Sequence, residues 1–370
     1  MGYVPLLTVL LPQRIAELQG SEDIAALAQV TFLGAVMASL ANIAFGMISD
    51  RSAVRRPWII AGLIASNLLL IAIGEAQSVG EIVLLVMAWQ VALNLMLAPL
   101  AAWAGDCFPN SQKGVLGGAL AVAPALGALS GSLVTYAGLV PPDFRLVLVA
   151  LLVTALVLPA VISGGGKVRA ELMQPVARTV DPLRLRDRLV LRMWAARLLV
   201  QVAEGGMFAF LLYWLRSLSP EYPENGAANI FSAVLVCAVP LSLLLGRWSD
   251  RHGRPITPLV ASAVLCGAGM LIMAAAWTLA AAIAGYVLFG LAAAIFLALH
   301  GSQTLRVLPA PQHRGRDLGL FNLTNTGPGM VMPWLTVLLV PSFGYSALFV
   351  LFAALSLLSA ALLAVVARRT

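Results

Sequence analysis

The chain has 370 residues, 61% of them hydrophobic and only 11% charged, with a mean hydropathy of +0.94 and a formal net charge of +7. So little polar surface cannot solvate a globular exterior in water, which excludes a soluble domain and makes lipid the solvent. The basic excess is confined to certain loops, so it is a matter of topology and gives no reason to expect nucleic acid as a partner.

Apolar runs occupy 1–13, 27–48, 58–74, 82–105, 115–139, 146–163, 193–215, 229–247, 256–276, 279–299, 318–340 and 345–366. In hydrocarbon every backbone amide needs a partner, and runs this long without strand alternation satisfy that need as helices. The pattern predicts an all-α integral membrane protein with 12 transmembrane helices, arranged as two pseudo-twofold-related six-helix bundles. The first run begins at the first residue and contains Pro5 and Pro12, so helix 1 is expected to be short, bent, or truncated; of these we favour a missing beginning. No basic segment precedes it, and no cleavable signal is expected. Cys107, Cys237 and Cys266 lack metal-ligand or paired spacing and are expected to be small core residues.

Lys and Arg fix the orientation. Nineteen lie in the loops after the even-numbered runs or in the C-terminal tail, against Arg14, Arg145 and Arg216 in the opposite loops. The even loops, and with them both termini, are therefore expected in the cytoplasm. The only long polar connection is 164–192, which opens with Gly164, Gly165 and Gly166 and then carries seven basic residues. It divides the chain into an N-terminal bundle over 1–163, a cytoplasmic linker over 164–192 and a C-terminal bundle over 193–370.

The pattern Gly-x-x-Ser-Asp-Arg occurs at Gly46 to Arg51 and again at Gly246 to Arg251, 200 residues later, each time at the end of the second run of its half. Pro109 and Gln112, before run 5, recur at the same offset as Pro309 and Gln312, before run 11. An internal repeat of this length in a polytopic chain indicates duplicated bundles.

The first copy, with Arg55-Arg56-Pro57-Trp58 after it, resembles the loop between helices 2 and 3 of the major facilitator superfamily of secondary transporters. The second, continuing through Gly253-Arg254-Pro255, resembles the counterpart in the other half. More narrowly, Arg55 to Trp58, the segment Asn94 to Pro109 and Leu212 to Leu215 resemble the glycoside-pentoside-hexuronide:cation symporters and their sucrose-transporter-like relatives. Ala123-Pro124-Ala-Leu-Gly127-Ala128 is similar to the exporters' Gly-Pro-x-x-Gly-Gly signature, with Ala for the first and last Gly, and keeps efflux open. The resemblance implies alternating access and gating by Gly46, Asp50, Arg51, Arg55, Gly246, Asp250, Arg251 and Arg254. It places Asp50 opposite the start of helix 11, near Gly315 to Leu318, and Asp250 opposite the start of helix 5, near Lys113 and Gly114. A carboxylate there would accept from free helix amides.

Glu204 lies eleven residues beyond Met193, roughly 16 Å into a hydrocarbon core about 30 Å thick. An intramembrane carboxyl is expensive and usually functional. Arg197, Gln201, Glu204 and Phe208 share one helical face, expected to point into a central cavity, with Glu204 and Arg197 as coupling residues or Glu204 as a binder of substrate hydroxyls; a protonated Glu204 hydrogen-bonded to a neighbouring helix is the alternative. Gln90, Asn94, Gln201, Asn322 and Asn325 are candidate substrate amides, able to donate and accept, and Trp89, Phe208, Tyr213 and Phe321 candidate stacking surfaces. Interhelical hydrogen bonding is the alternative role for each amide.

The histidines are scattered and no nucleophile, metal or phosphate motif occurs, so an enzyme is not expected. The expected protein is a monomeric secondary transporter of a bacterial inner (plasma) membrane, with a small-molecule solute and the lipid bilayer as partners. No cofactor is expected beyond co-transported H+ or Na+. Sugar- or glycoside-like uptake is the leading reading, export of drugs or metabolites the alternative, and a transporter-like sensor or scaffold more remote.

Overall fold

A computed structural model describes residues 6–19, 24–136, 139–163, 188–308 and 313–367. Every extended element among them is helical. A π-helical turn, Leu6–Leu10, leads into α1, Leu11–Gln19, and is followed by α2, Ile24–Ser52, α3, Arg56–Gly74, and α4, Val79–Cys107. Then come α5, in two segments Lys113–Leu120 and Val122–Val134, α6, Arg145–Ser163, α7, Arg188–Leu218, α8, Glu224–His252, α9, Thr257–Ala274, and α10, Leu279–Val307. The final helical stretch, Arg314–Ala367, breaks at Gly344 (φ 73°, ψ 178°) into α11, 314–343, and α12, 345–367.

Local sequence explains most boundaries. Ser78 caps α4 by accepting from the Glu81 amide while the Glu81 carboxylate accepts from the Gln77 amide, and Thr278 caps α10 through the Ala281 amide. Pro57 and Pro258 occupy first-turn positions of α3 and α9, where a missing N–H costs nothing. Pro124 has no amide to donate to Leu120, and α5 breaks between the two at Ala121.

The repeat extends to the helix ends. Gly253 closes α8 in the left-handed region (φ 63°), and Ala53, 200 residues earlier, adopts the same conformation (φ 52°) after α2. A Cβ is disfavoured there, so Gly253→Ala is expected to lower stability by about 1 kcal/mol, read as a lower apparent melting temperature in detergent.

Nine described helices are long and apolar enough to cross a membrane, and they coincide with the runs at 27–48, 58–74, 82–105, 115–139, 146–163, 229–247, 256–276, 279–299 and 345–366. The runs at 193–215 and 318–340 contain side chains outside the described residues, and the nine do not include them. Leu40, Leu68, Leu84 and Ile162 are each at least 60% exposed, a surface that requires lipid rather than water. The protein is an integral membrane protein with several apolar helices. Cys266 is buried, but Cys237 is exposed on α8 and Cys107 only half-buried, so the expectation of three core thiols holds for one of them.

The chain forms two compact units. The first comprises Met1–Phe108, Leu126–Thr179 and Pro309–Thr326. In it α4 packs against α2 and α3, and α3 against α6, around Ile59, Val86, Trp89 and Met96. The second comprises Pro109–Ala125, Val180–Leu308 and Gly327–Thr370. In it α9 packs along α10, and the first segment of α5 lies against α8 and α10. Glycines permit the closest crossings: a Cβ on Gly62 would lie 2.8 Å from the Met96 Cα, and one on Gly269 would lie 2.6 Å from the Phe289 nitrogen. Most of the polar linker, 164–187, falls outside the described residues, and α7 begins at Arg188.

Candidate functional site

In the first unit the duplicated motif builds a helix crossing. Gly46 of α2 faces Gly315 of α11 with no room for a side chain on either: a Cβ on Gly315 would meet the Gly46 carbonyl oxygen at 2.5 Å. That approach brings Asp50, one turn further along α2, to the start of α11. Its Oδ1 accepts from the Gly315 amide and its Oδ2 from the Arg316 amide, both at 3.0 Å. One carboxylate thus caps another helix, meeting two of its unsatisfied donors and the positive end of its dipole.

Charged groups surround this cap. Arg55, only 1% exposed, donates to Ser49 Oγ and Asp50 Oδ1 at 2.7 Å and to Asp106 Oδ2 at 3.3 Å. Asp106, at the end of α4 and fully buried, also pairs with Arg314 of α11. Asp50, Arg55, Asp106 and Arg314 form one alternating, charge-balanced chain joining α2, α3, α4 and α11. Beside it Arg316 Nε donates to Asp317 Oδ1 at 2.8 Å, and burial pushes the Asp317 carboxyl up while Arg316 holds it down.

The second unit repeats the crossing. Gly246 of α8 abuts the Gly114 backbone of α5, and Asp250 accepts from the Gly114 and Val115 amides at 2.9 Å each. Gly118, one turn on, lets α5 approach the Leu243 backbone. The charges differ, however. Asp250 is held by Arg306 Nη2 at 2.5 Å, and Arg306 occupies the position 200 residues after Asp106.

Two of the gating positions inferred from sequence, Gly46 and Gly246, are backbone contacts, and three, Asp50, Asp250 and Arg55, are directly engaged. Arg51, Arg251 and Arg254 are exposed and hold no ion pair among the described residues. Asp106, Arg306 and Arg314 escaped sequence reasoning as members of these clusters. The repeat offset carried the signal for two of them, because it maps Asp106 onto Arg306.

The α7 face is organised differently from the sequence expectation. Arg197 Nε donates to Gln201 Oε1 at 3.1 Å and its Nη1 to the Leu297 carbonyl of α10 at 3.2 Å. His300 of α10 lies 3.0 Å through Nε2 from the Met193 carbonyl. This face therefore packs against α10 inside the second unit. Glu204 lines a small cavity between α7, α8 and α10, walled by Phe231, Tyr286 and Phe289 among others. The side chains of Phe208 and Tyr213 lie outside the described residues.

The amides fall into two groups. Asn94 accepts from Asn42 Nδ2 and donates to the Gln90 carbonyl, both within the first unit, and Gln90 and Asn94 are buried. Asn94 thus ties α4 to α2. Asn325 is exposed and donates to half-buried Asn322 at 2.7 Å, and one residue on, Thr326 shares a hydrogen bond with Ser39 of α2. Gln201, Trp89 and Phe321 are buried.

Carboxylates that cap helix starts at two equivalent glycine crossings, in an apolar chain of many helices, describe a polytopic membrane protein. Residues 193–370 match the family model of the Major Facilitator Superfamily. Similar solved structures include the human organic anion transporter MFSD10 (TETRAN), at 17% identity and a TM-score of 0.75, covering 98% of this chain and 94% of that one. A bacterial homologue of the iron transporter ferroportin in the outward-facing state is 13% identical with a TM-score of 0.75, covering 100% of this chain and 96% of that one. The major facilitator transporter FucP in the outward conformation is 16% identical with a TM-score of 0.73, covering 100% and 95%. The fold is that of the major facilitator transporters, and the matched family and structures are transporters, not enzymes. Comparison with curated protein sequences gives no match.

Proposed function

We propose that the whole chain is a secondary transporter of the major facilitator superfamily, moving a small organic solute by alternating access and drawing on a proton or sodium gradient. The observation that carries this reading is the pair of capped glycine crossings, Gly46–Gly315 with Asp50 and Gly114–Gly246 with Asp250. Each cap is made of a few hydrogen bonds at the ends of long helices, which suits a contact that forms in one state and breaks in another. Under this reading the chain has twelve spans, bundles over 1–163 and 193–370, cytoplasmic termini, and latches on the cytoplasmic side.

Sugar- or glycoside-like uptake remains the leading assignment, supported by the narrower motif resemblance and by amides such as Asn325 and Asn322 that suit hydroxyl-bearing solutes. Export of drugs or metabolites is the second reading, supported by the partial Gly-Pro signature on α5.

A panel of solutes in proteoliposomes with imposed pH and sodium gradients tests the assignment. Asp50→Asn removes the charge and one of two acceptors, and is expected to lower gradient-driven flux at least about tenfold, the equivalent of one lost charge-assisted cap, with insertion intact. Undiminished flux in the variant would remove Asp50 from the gate. No movement of any solute under either gradient would remove the transporter assignment.

A further inference from the structure

We infer that the lipid-facing end of α8 is a binding site for an anionic phospholipid, with its phosphate held by Arg247 and Arg251 and its acyl chain laid along Leu244. The inference goes beyond the transport reading and does not depend on it, because it requires only that α8 lie in a bilayer. The span Asn229–His252 is long and apolar enough to cross one. Leu244, Arg247 and Arg251 follow at intervals of three and four, so they share one face of α8, and all three are exposed, Leu244 by 61%. The opposite face is the buried one: Ser242 and Ser249 are fully enclosed and Gly246 abuts the Gly114 backbone.

Depth decides what the exposed face meets. At a rise of about 1.5 Å per residue, Arg247 stands roughly 7.5 Å short of the end of the helix at His252, and Leu244 one turn further in. An arginine at this depth lays its methylenes along the hydrocarbon and extends its guanidinium to the interface. A leucine followed within two turns by two such groups matches the acyl chain and phosphate of one phospholipid, and guanidinium forks hold phosphate oxygens through paired hydrogen bonds. Neither arginine has an ion pair among the described residues. Asp250, the one acid between them, is spent on the Gly114 and Val115 amides and on Arg306.

Trp248 completes the site. It is half-buried beside Arg247, and His252 steadies its ring, stacking on it with centroids 4.8 Å apart and placing Nδ1 2.9 Å from the Trp248 carbonyl. A tryptophan at a bilayer interface offers an apolar ring to the chains and an N–H to the headgroups. The repeat confines the site to the second unit. At the positions 200 residues earlier, α2 carries Met47, Ile48 and Ser52 in place of Arg247, Trp248 and His252, and keeps only Arg51 of the set. Basic charge at a helix end is common to both units, so it does not by itself account for the arrangement on α8.

Native mass spectrometry of the detergent-solubilised protein, titrated with phosphatidylglycerol and separately with phosphatidylcholine, tests the site without any solute. The wild type is expected to bind the first phosphatidylglycerol more tightly than the first phosphatidylcholine. Arg247→Gln should weaken phosphatidylglycerol about fivefold, the effect of one basic residue at an anionic surface, and leave phosphatidylcholine unchanged. Arg247→Lys should restore part of the loss, and Trp248→Leu should weaken both lipids. Arg56→Gln, which removes an exposed charge from α3 in the first unit, should leave the first phosphatidylglycerol in place. Equal binding of the two lipids by the wild type would overturn the inference, as would equal losses in Arg247→Gln and Arg56→Gln, which would mark a response to total charge. Displacement of phosphatidylglycerol by inorganic phosphate would reveal a soluble-anion site instead and overturn it as well. Failure of solute movement alongside the expected lipid preference would retire the transport reading and leave the lipid site standing.

Discussion

Valine at Gly46 is expected to open the α2–α11 crossing, and valine at Gly246 the α5–α8 crossing. In each case a Cβ would fall on the partner glycine's backbone, which cannot rotate away as a side chain can. The helices must separate, and overpacking of this kind costs about 1–3 kcal/mol or more. Separation also pulls the Asp50 carboxylate off the Gly315 and Arg316 amides, which are held at 3.0 Å. Hydrogen exchange should therefore rise at those two amides in Gly46→Val, and at Gly114 and Val115 in Gly246→Val. Loss of about 1.4 kcal/mol of protection corresponds to tenfold faster exchange. Unchanged exchange at the capped amides would show that the crossings do not hold the caps in place.

Removal of Asp106 is expected to be the most damaging single loss of charge. Its carboxylate is fully buried between Arg55 and Arg314, which are 1% and 7% exposed. Asp106→Ala leaves two guanidinium groups facing one another with little water, and an uncompensated buried charge costs about 3–5 kcal/mol. The apparent melting temperature in detergent should fall sharply. Removing the second cation as well, in Asp106→Ala with Arg314→Met, should recover much of the loss, since replacing a buried pair by apolar groups is often neutral. Arg306→Ala at the equivalent position should cost only about 1 kcal/mol, because that side chain is 18% exposed and Asp250 keeps both amide donors. Equal losses at the two positions would contradict this difference between the caps.

The legibility of the site from sequence varied with the range of the interactions. Gly46, Asp50, Gly246 and Asp250 were readable because they recur at a fixed offset at helix ends, where a carboxylate and a glycine have few alternative roles. The Arg55 side chain and those of Arg51 and Arg254 were not distinguishable by type. Burial separates them: Arg55 is enclosed between two carboxylates, while the others remain at the surface where basic residues orient the chain. Asn94 and Asn325 looked alike as mid-helix amides. Only packing shows that Asn94 spends its hydrogen bonds on Asn42 and the Gln90 carbonyl, whereas Asn325 remains exposed.

The sequence alone determined the solvent, the helical class and the motif that recurs at an offset of 200 residues, because hydropathy, run length and spacing are properties of the chain read in order. It also located the carboxylates that cap helices, since a helix end is a local feature. Tertiary structure decided which segments pack together: Pro109–Ala125 joins the second unit and Pro309–Thr326 the first, although each belongs by sequence to the other half. It decided, too, that a repeat position holds Asp106 in a buried chain of charges and Arg306 in a single pair, and that Glu204 lines a small cavity inside its own unit. Partners hundreds of residues apart, and the direction a helix face takes, are set by close packing in three dimensions. No one-dimensional period encodes them.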